Sequence, residues 1–321
     1  MCVLKERNCY RYDVTIGLCA RDIAEIEYET VNSLIHQDFP FSRIELVLVL
    51  GKTEHVTNKM RELLSEANIT VKMYCDSGAG LATARQIVVE KAQGEFIVWV
   101  DSDVSLSRDF LRKQLEFMRS NASMGVAIGF YDNKESRSKL AASVFDLQFG
   151  LFRGVYFGAT ITRASALKEV NGFDRRIKGA SEDVDIVMRL VYHNWGIAFN
   201  ENARFSRNLR ESLQDVLRRG MWYGRGGHFL NHKYESLSNI PFRLPPIYFI
   251  WGLKLSKKAY RKNHTWKSFI IPLITSIQSI GWSIGFITAH FAGYGHSILK
   301  HEISKQETRN IGKRMSEILS Y

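Results

Sequence analysis

Asp101 and Asp103 are separated by a single serine and follow directly on the run Glu95-Phe-Ile-Val-Trp-Val100. Two carboxylates this close on a loop supply hard oxygen ligands. Mg²⁺ and Mn²⁺ take such ligands and usually share them with substrate phosphates. A metal held there can neutralise charge building on a leaving diphosphate. The same residues would also suit a helix start, with Ser105 or Ser107 as cap and the aspartates favouring the helix dipole. Their place at the end of the most apolar run favours ligand duty, because open α/β sheets bind ligands beyond the carboxyl ends of their strands.

Three more acids fall within four residues, Glu182, Asp183 and Asp185, after Gly179-Ala180-Ser181 and ahead of Arg189. A carboxylate beside a nucleophilic hydroxyl can serve as general base, and Asp183 could supply one. The stretch equally reads as a helix start capped by Ser181, with Asp185 paired to Arg189 one turn on. The two readings are compatible, since a helix start is a firm platform for a base. Gly78-Ala-Gly80-Leu-Ala-Thr-Ala-Arg85 opens another helix; its glycines let a diphosphate approach backbone N–H groups and Arg85 offers a cation. Arg218-Arg219-Gly-Met-Trp222-Tyr-Gly-Arg225-Gly-Gly227 reads as a mobile, basic, aromatic loop that closes over a pyrophosphate, or as a solvated basic surface.

Strands at 13–19, 44–50, 69–74 and 95–100 alternate with helices reaching about 35, then about 54–67 and 80–92. This alternation predicts an open, doubly wound α/β sheet. The apolar section 155–163, a helix at 186–192 and a short strand at 195–199 follow. A net charge of +11 favours an anionic partner, whether nucleotide diphosphate, acidic lipid or nucleic acid. The four cysteines, Cys2, Cys9, Cys19 and Cys75, have no Cys-x-x-Cys spacing, which argues against a zinc site or disulfide scaffold and suits a reducing compartment. No apolar run marks a signal peptide in residues 1–11.

The composition shifts after about residue 235. Lys254, Lys257, Lys258, Arg261 and Lys262 form a basic cluster, and Phe269 to Gly295 then lacks any Asp, Glu, Lys or Arg. That length can cross a hydrocarbon core, re-enter it, or form a buried helical hairpin; the flanking Lys/Arg favour the membrane. Residues 245–253, with Tyr248 and Trp251, look interfacial. The expected division is a catalytic domain at 1–235 and a membrane-associated helical tail at 236–321.

In order along residues 13–227, these pieces resemble the family-2 glycosyltransferases of GT-A fold. The carriers are Cys19-Ala20-Arg21-Asp22, Gly80–Arg85, Ala92-Gln-Gly94 through Asp101-Ser-Asp103, Asn171-Gly-Phe-Asp174, and Glu182-Asp183-Val-Asp185 with Arg189-Leu190. The resemblance implies a Rossmann-like, mostly parallel sheet and an inverting transferase using a UDP- or GDP-sugar with Mg²⁺ or Mn²⁺. It implies metal at Asp101 and Asp103, the nucleotide near Ala20, Asp22, Arg85 and Ser102, and Asp183 with Glu182 as the catalytic acids. Arg219, Trp222 and Arg225 match the place of a loop over the diphosphate. The expected partners are a lipid-linked or glycan acceptor and a membrane, not nucleic acid, with the catalytic domain facing the cytoplasm. One departure is clear: relatives end the second strand with Asp-Asp-Ser or similar, whereas here Leu50-Gly51-Lys52-Thr53 stands, leaving nucleoside contact to another group such as Asp76. A sugar nucleotidyltransferase is disfavoured, since no Gly-rich loop with clustered Lys/Arg follows the first strand. A membrane-bound nucleotide-sugar-binding protein without catalysis is the non-enzymatic alternative.

Overall fold

The structure is a computed structural model that describes residues 10–52, 69–132, 140–151, 154–208, 212–234, 244–298 and 304–319. Its strands are β1 (Tyr12–Ala20), β2 (Ile44–Leu50), β3 (Thr70–Cys75), β4 (Gly94–Asp101), β5 (Val104–Leu106), β6 (Met124–Tyr131), β7 (Ala159–Arg163) and β8 (Gly196–Arg207). In space they run β3-β2-β1-β4-β7-β6-β8-β5. β1 through β4 pair in parallel, as does β6 with β8, whereas β7 lies antiparallel between β4 and β6. The sheet is therefore mixed, with its parallel half where the apolar runs predicted it.

Both faces of that half are covered. Val14, Ile16, Leu18, Phe96, Val98 and Val100 point to one core with α1 (Tyr28–Ile35) and α3 (Phe110–Ser120). The alternate residues Val47, Val49, Ile97 and Trp99 face a second core with α2 (Leu81–Lys91), α5 (Ala164–Glu169) and α6 (Glu182–Tyr192). Burial on both sides is why these strands read as continuous apolar runs. The one buried acid in β2, Glu45, accepts from Thr15 Oγ1 and Lys72 Nζ, both at 2.6 Å.

The remaining helices are α4 (Leu140–Phe149), α7 (Leu213–Lys233), α8 (Pro245–Asn263), α9 (Ile271–Phe291) and α10 (Lys305–Leu319). Three sequence expectations change here. The expected loop at 218–227 is the middle of α7, which Ser212 and Asp215 start with a reciprocal capping box. Its glycines are packing positions: a Cβ at Gly220 or Gly224 would collide with the carbonyls of Gln278 or Trp282, and one at Gly281 or Gly285 with those of Leu217 or Met221. Small residues four apart on each helix thus let the backbones of α7 and α9 touch. The short strand at 195–199 is the start of the twelve-residue β8, and the helix at 186–192 begins earlier, at Glu182. The helix expected at about 54–67 lies outside the described residues.

The helical run Trp266–Phe291 is long and apolar enough to cross a membrane, and 44% of its most apolar window is buried inside the protein, mostly against α7. Its other face exposes Leu273, Ile280, Ile284, Ile287 and Phe291, alongside Phe249, Ile250 and Leu253 of α8.

Candidate active site

Register places the first acid. Cys19 of β1 pairs with Asp101, so the two strands end together and deliver Asp101 to the sheet's carboxyl edge. The turn after it is fixed from outside: the Ser102 carbonyl accepts from Glu27 N at 2.9 Å and Thr30 Oγ1 at 3.0 Å. β5 then pairs antiparallel with the end of β8, bringing Arg207 opposite Val104 and within 2.7 Å of Asp103 Oδ2.

Arg85 is the centre of the cluster. Nearly buried on α2, it donates from Nη1 to Glu182 Oε1 at 2.7 Å and from Nη2 to Asp101 Oδ1 at 3.1 Å. One guanidinium therefore ties the Asp-Ser-Asp loop to the start of α6, 97 residues on from Arg85. Burial alone would favour loss of its proton, but Glu182 and Asp101 hold it firmly charged. Arg207 is in the same condition beside Asp103. Tyr156 donates to the other oxygen of Asp101 at 3.0 Å, and burial keeps its phenol protonated.

The acids at α6 respond differently. Burial, opposed by Arg85, raises the Glu182 carboxyl to about 8, and Asp183 adds to the rise. Glu182 Oε2 is buried with no hydrogen-bond partner among the described residues. Asp183 is half-buried; its Oδ1 accepts from Val184 N at 2.8 Å, and burial raises its pKa as well. Ser181 ahead of them takes a left-handed conformation, φ 79°, and makes no side-chain cap. The expected serine cap is absent, and the Ala180 N–H instead donates to the Trp222 carbonyl of α7 at 3.2 Å.

Asp185 does not join the site. Fully buried, it binds Arg189 at 2.7 Å, Lys233 at 2.8 Å and the Tyr234 hydroxyl at 2.7 Å. Lys233 also binds Asp174, so the Asn171–Asp174 motif and Asp185 together clamp the end of α7. Asp76 is likewise occupied: its two carboxylate oxygens accept the amides of Gly78 and Gly80 at 3.0 and 3.1 Å. It shapes a loop in which Ser77, Gly78 and Gly80 have φ of 54°, 73° and 104°, and where a Cβ at either glycine would meet open space. That openness suits a ligand's approach to the start of α2.

Ala20 ends β1, and Asp22 caps the following turn by accepting from Ala24 N at 3.0 Å. Arg219, Trp222 and Arg225 all lie on α7. Burial lowers Arg219 to about 10, while Arg225 is exposed and stacks on Tyr294 at 5.0 Å. Cys19 sits beside Asp101, but burial pushes its thiol up to about 12, which leaves no thiolate for covalent chemistry.

Tyr156 and Arg207 were not foreseen. Tyr156 lies in the loop just before β7 and Arg207 at the end of β8, where it pairs antiparallel with β5. Neither belongs to a local motif, and their only signal is an aromatic and a cation flanking or ending strands that pair non-locally. A cavity of 480 Å³ opens beside Tyr156, lined also by Tyr223, Tyr248, Trp251, Lys258 and Lys262 among others.

Residues 24–167 match glycosyl transferase family 2, and residues 96–294 match glycosyl transferase family group 2. An uncharacterized glycosyltransferase of Haemophilus influenzae is 34% identical over 82 residues, which is 25% of this chain and 33% of that protein. The putative teichuronic acid biosynthesis glycosyltransferase TuaG of Bacillus subtilis is 31% identical over 106 residues, 33% of this chain and 40% of its own length. The matched segments thus span less than half of these curated relatives. Among solved structures, the mannosyltransferase PcManGT from Pyrobaculum calidifontis, in complex with GDP-Man and Mn²⁺, is similar with a TM-score of 0.52 at 15% identity, covering 98% of this chain and 87% of that one. Staphylococcus aureus TarS 1-349 in complex with UDP-GlcNAc gives a TM-score of 0.51 at 16% identity, covering 88% of this chain and 92% of that one. At these identities the structural likeness speaks for the shared fold, GT-A.

Proposed function

The chain belongs to glycosyl transferase family group 2, and on that premise we propose that it moves a sugar from a nucleotide-diphosphate donor to an acceptor hydroxyl with inversion. The observation that carries this reading is the Arg85 bridge, which brings a candidate metal-binding pair and a candidate base to one end of the sheet.

Asp101 and Asp103 fit a hard divalent cation. Their donors are carboxylate oxygens only, each balanced by a guanidinium, and Gly158 leaves room where a Cβ would strike Tyr156 and the Asp101 carboxylate. Mg²⁺ or Mn²⁺ bound there would neutralise charge on the departing diphosphate. The open loop at Gly78–Gly80 and the Arg85 cation complete an anion-binding corner.

Asp183 takes the proton of the acceptor hydroxyl. Its Oδ1 is oriented by the Val184 amide, Oδ2 is left for the acceptor, and the raised pKa makes it a stronger base than an exposed aspartate. Glu182 holds Arg85, and its Oε2, unpartnered among the described residues, is left to hydrogen-bond a hydroxyl of the incoming acceptor or donor. The deprotonated acceptor oxygen attacks the anomeric carbon in line as the bond to the diphosphate breaks.

The cavity beside Tyr156 suits an acceptor with an apolar or ring-shaped part and an anionic group, met by Tyr248 and Trp251 and by Lys258 and Lys262. The exposed apolar face of α8 and α9 suits a lipid surface. α9 is packed on α7, which carries Arg218, Arg219 and Arg225, so crossing the bilayer would take those cations with it. The proposed attachment is therefore interfacial, with residues 1–235 carrying the chemistry on the cytoplasmic side and 236–321 the attachment.

A donor panel tests the reading: purified full chain, Mn²⁺ or Mg²⁺, UDP-, GDP- and dTDP-sugars, and membrane lipid extract. Acceptor- and metal-dependent release of nucleoside diphosphate is expected. Formation of nucleoside triphosphate when pyrophosphate is added, or no metal-dependent release from any donor, would overturn it.

A further inference from the structure

Four of the nine histidines converge at the far end of the α7–α9 pair. His228 and His232 lie one turn apart on α7, and therefore on one face of it. His290 sits in the last turn of α9. His296 comes back over them because the chain reverses at Gly293 and Gly295, with φ of 66° and 88°, conformations that favour glycine. Tyr294 fixes that reversal. Its hydroxyl receives the Lys178 amide and donates to the Arg176 carbonyl at 3.2 Å, while its ring packs on Phe229 at 5.2 Å.

One ring nitrogen from each histidine lies within 4.8 Å of every other. His228 Nε2 and His290 Nδ1 are 3.3 Å apart. In a tetrahedral site with metal–nitrogen bonds of about 2.0–2.1 Å, neighbouring nitrogens stand about 3.3 Å apart. That pair is already at this separation, and none of the others needs to contract by more than about 1.5 Å, within the reach of imidazole rotation. His228 is fully buried, and its Nδ1 has no hydrogen-bond partner of good geometry among the described residues.

We propose that His228, His232, His290 and His296 form a transition-metal site, a closed tetrahedral one for Zn²⁺ that pins the end of α9 and its following turn to α7. Four imidazoles and no carboxylate make a borderline-soft nitrogen set, which selects Zn²⁺, Co²⁺ or Cu²⁺ over Mg²⁺ and Mn²⁺. The chemistry is thus opposite to that of Asp101 and Asp103. Four protein ligands leave no open position, so the ion is structural and takes no part in sugar transfer. Its binding would instead add to the stability of the folded state.

Co²⁺ is the probe, because a tetrahedral nitrogen site gives it intense visible absorption that octahedral coordination does not. The full chain, prepared without a polyhistidine tag and freed of metal by chelation, should take up one Co²⁺ with such absorption and release it to one equivalent of Zn²⁺. Zn²⁺ should also raise its melting temperature. His290→Ala and His296→Ala replace exposed residues and keep the fold, as circular dichroism can verify; each should lose the absorption and weaken Zn²⁺ binding by at least about 100-fold. Asp103→Asn should leave both signals intact, which separates this site from the catalytic one. Weak octahedral-type absorption, no saturable uptake, or full absorption in the His290→Ala/His296→Ala double variant would each overturn the proposal.

Discussion

Single side chains divide the labour at the carboxyl edge of the sheet. Asp183→Asn keeps size and position but removes the proposed base, so transfer should fall by roughly 10²–10⁴-fold while donor affinity, measured by calorimetry, stays the same. Unchanged transfer would send the search for the base elsewhere. Asp103→Asn should instead weaken metal-dependent donor binding by about tenfold or more, leaving the Arg207 guanidinium without its carboxylate partner at 2.7 Å. Glu182 carries the pH dependence. Burial pushes its folded carboxyl up to about 8, above the ordinary 4.5, so between those values the folded chain is expected to keep a proton that the unfolded chain has released. The stability this group contributes is complete at low pH and is lost as pH rises toward about 8. Melting curves of the ligand-free chain from pH 6 to 9 should fall less steeply for Glu182→Gln, which still offers Arg85 an acceptor. Equal slopes would show that Glu182 is ionised throughout. The position of Asp101 and Asp103 at the end of β4 could be read from sequence because a buried strand announces where its end must be. Tyr156 and Arg207 could not, because the loop before β7 and the end of β8 reach the site through non-local pairings that leave no local pattern.

The elements repeat the lesson in another form. The parallel strands were legible because burial on both faces removes polar residues from them. The glycine-rich stretch of α7 was misread for an equally physical reason: glycine is a poor helix former, costing about 1 kcal/mol against alanine, and only tertiary contact explains its presence. That yields a test with opposite signs. Gly312→Ala on α10 would place its Cβ in open space and should stabilise the chain by up to about 1 kcal/mol. Gly224→Ala would drive a Cβ into the Trp282 backbone, which cannot move aside as a side chain can. Overpacking of about 1–3 kcal/mol then outweighs the helix gain, and the melting temperature should drop. The histidines of α7 and α9 escaped notice because the fold joins two pairs that lie 62 residues apart, His228 from His290.

Across the whole molecule, the exposed apolar face and the active site lie on elements that share α7. Phe291 is 85% exposed and Ile250 57% exposed, values that water does not favour for side chains of this size. Replacing both with glutamate should abolish flotation of the chain with anionic vesicles, while transfer to a short water-soluble acceptor continues. Retained flotation would overturn the assignment of this face to a lipid surface.

The close seating of Gly226 under Ala180 has a mechanical consequence. α7 touches the acid-bearing loop on one side and the apolar helix on the other, with bare backbone at both contacts. Among the described residues no loop intervenes between these two contacts, so on the proposed reading the molecule would behave as a ruler. For an acceptor anchored in a lipid leaflet, the ruler would fix how far above the surface a hydroxyl must stand to be glycosylated. Acceptors would then be selected by height as well as by chemistry, and found by diffusion in a plane.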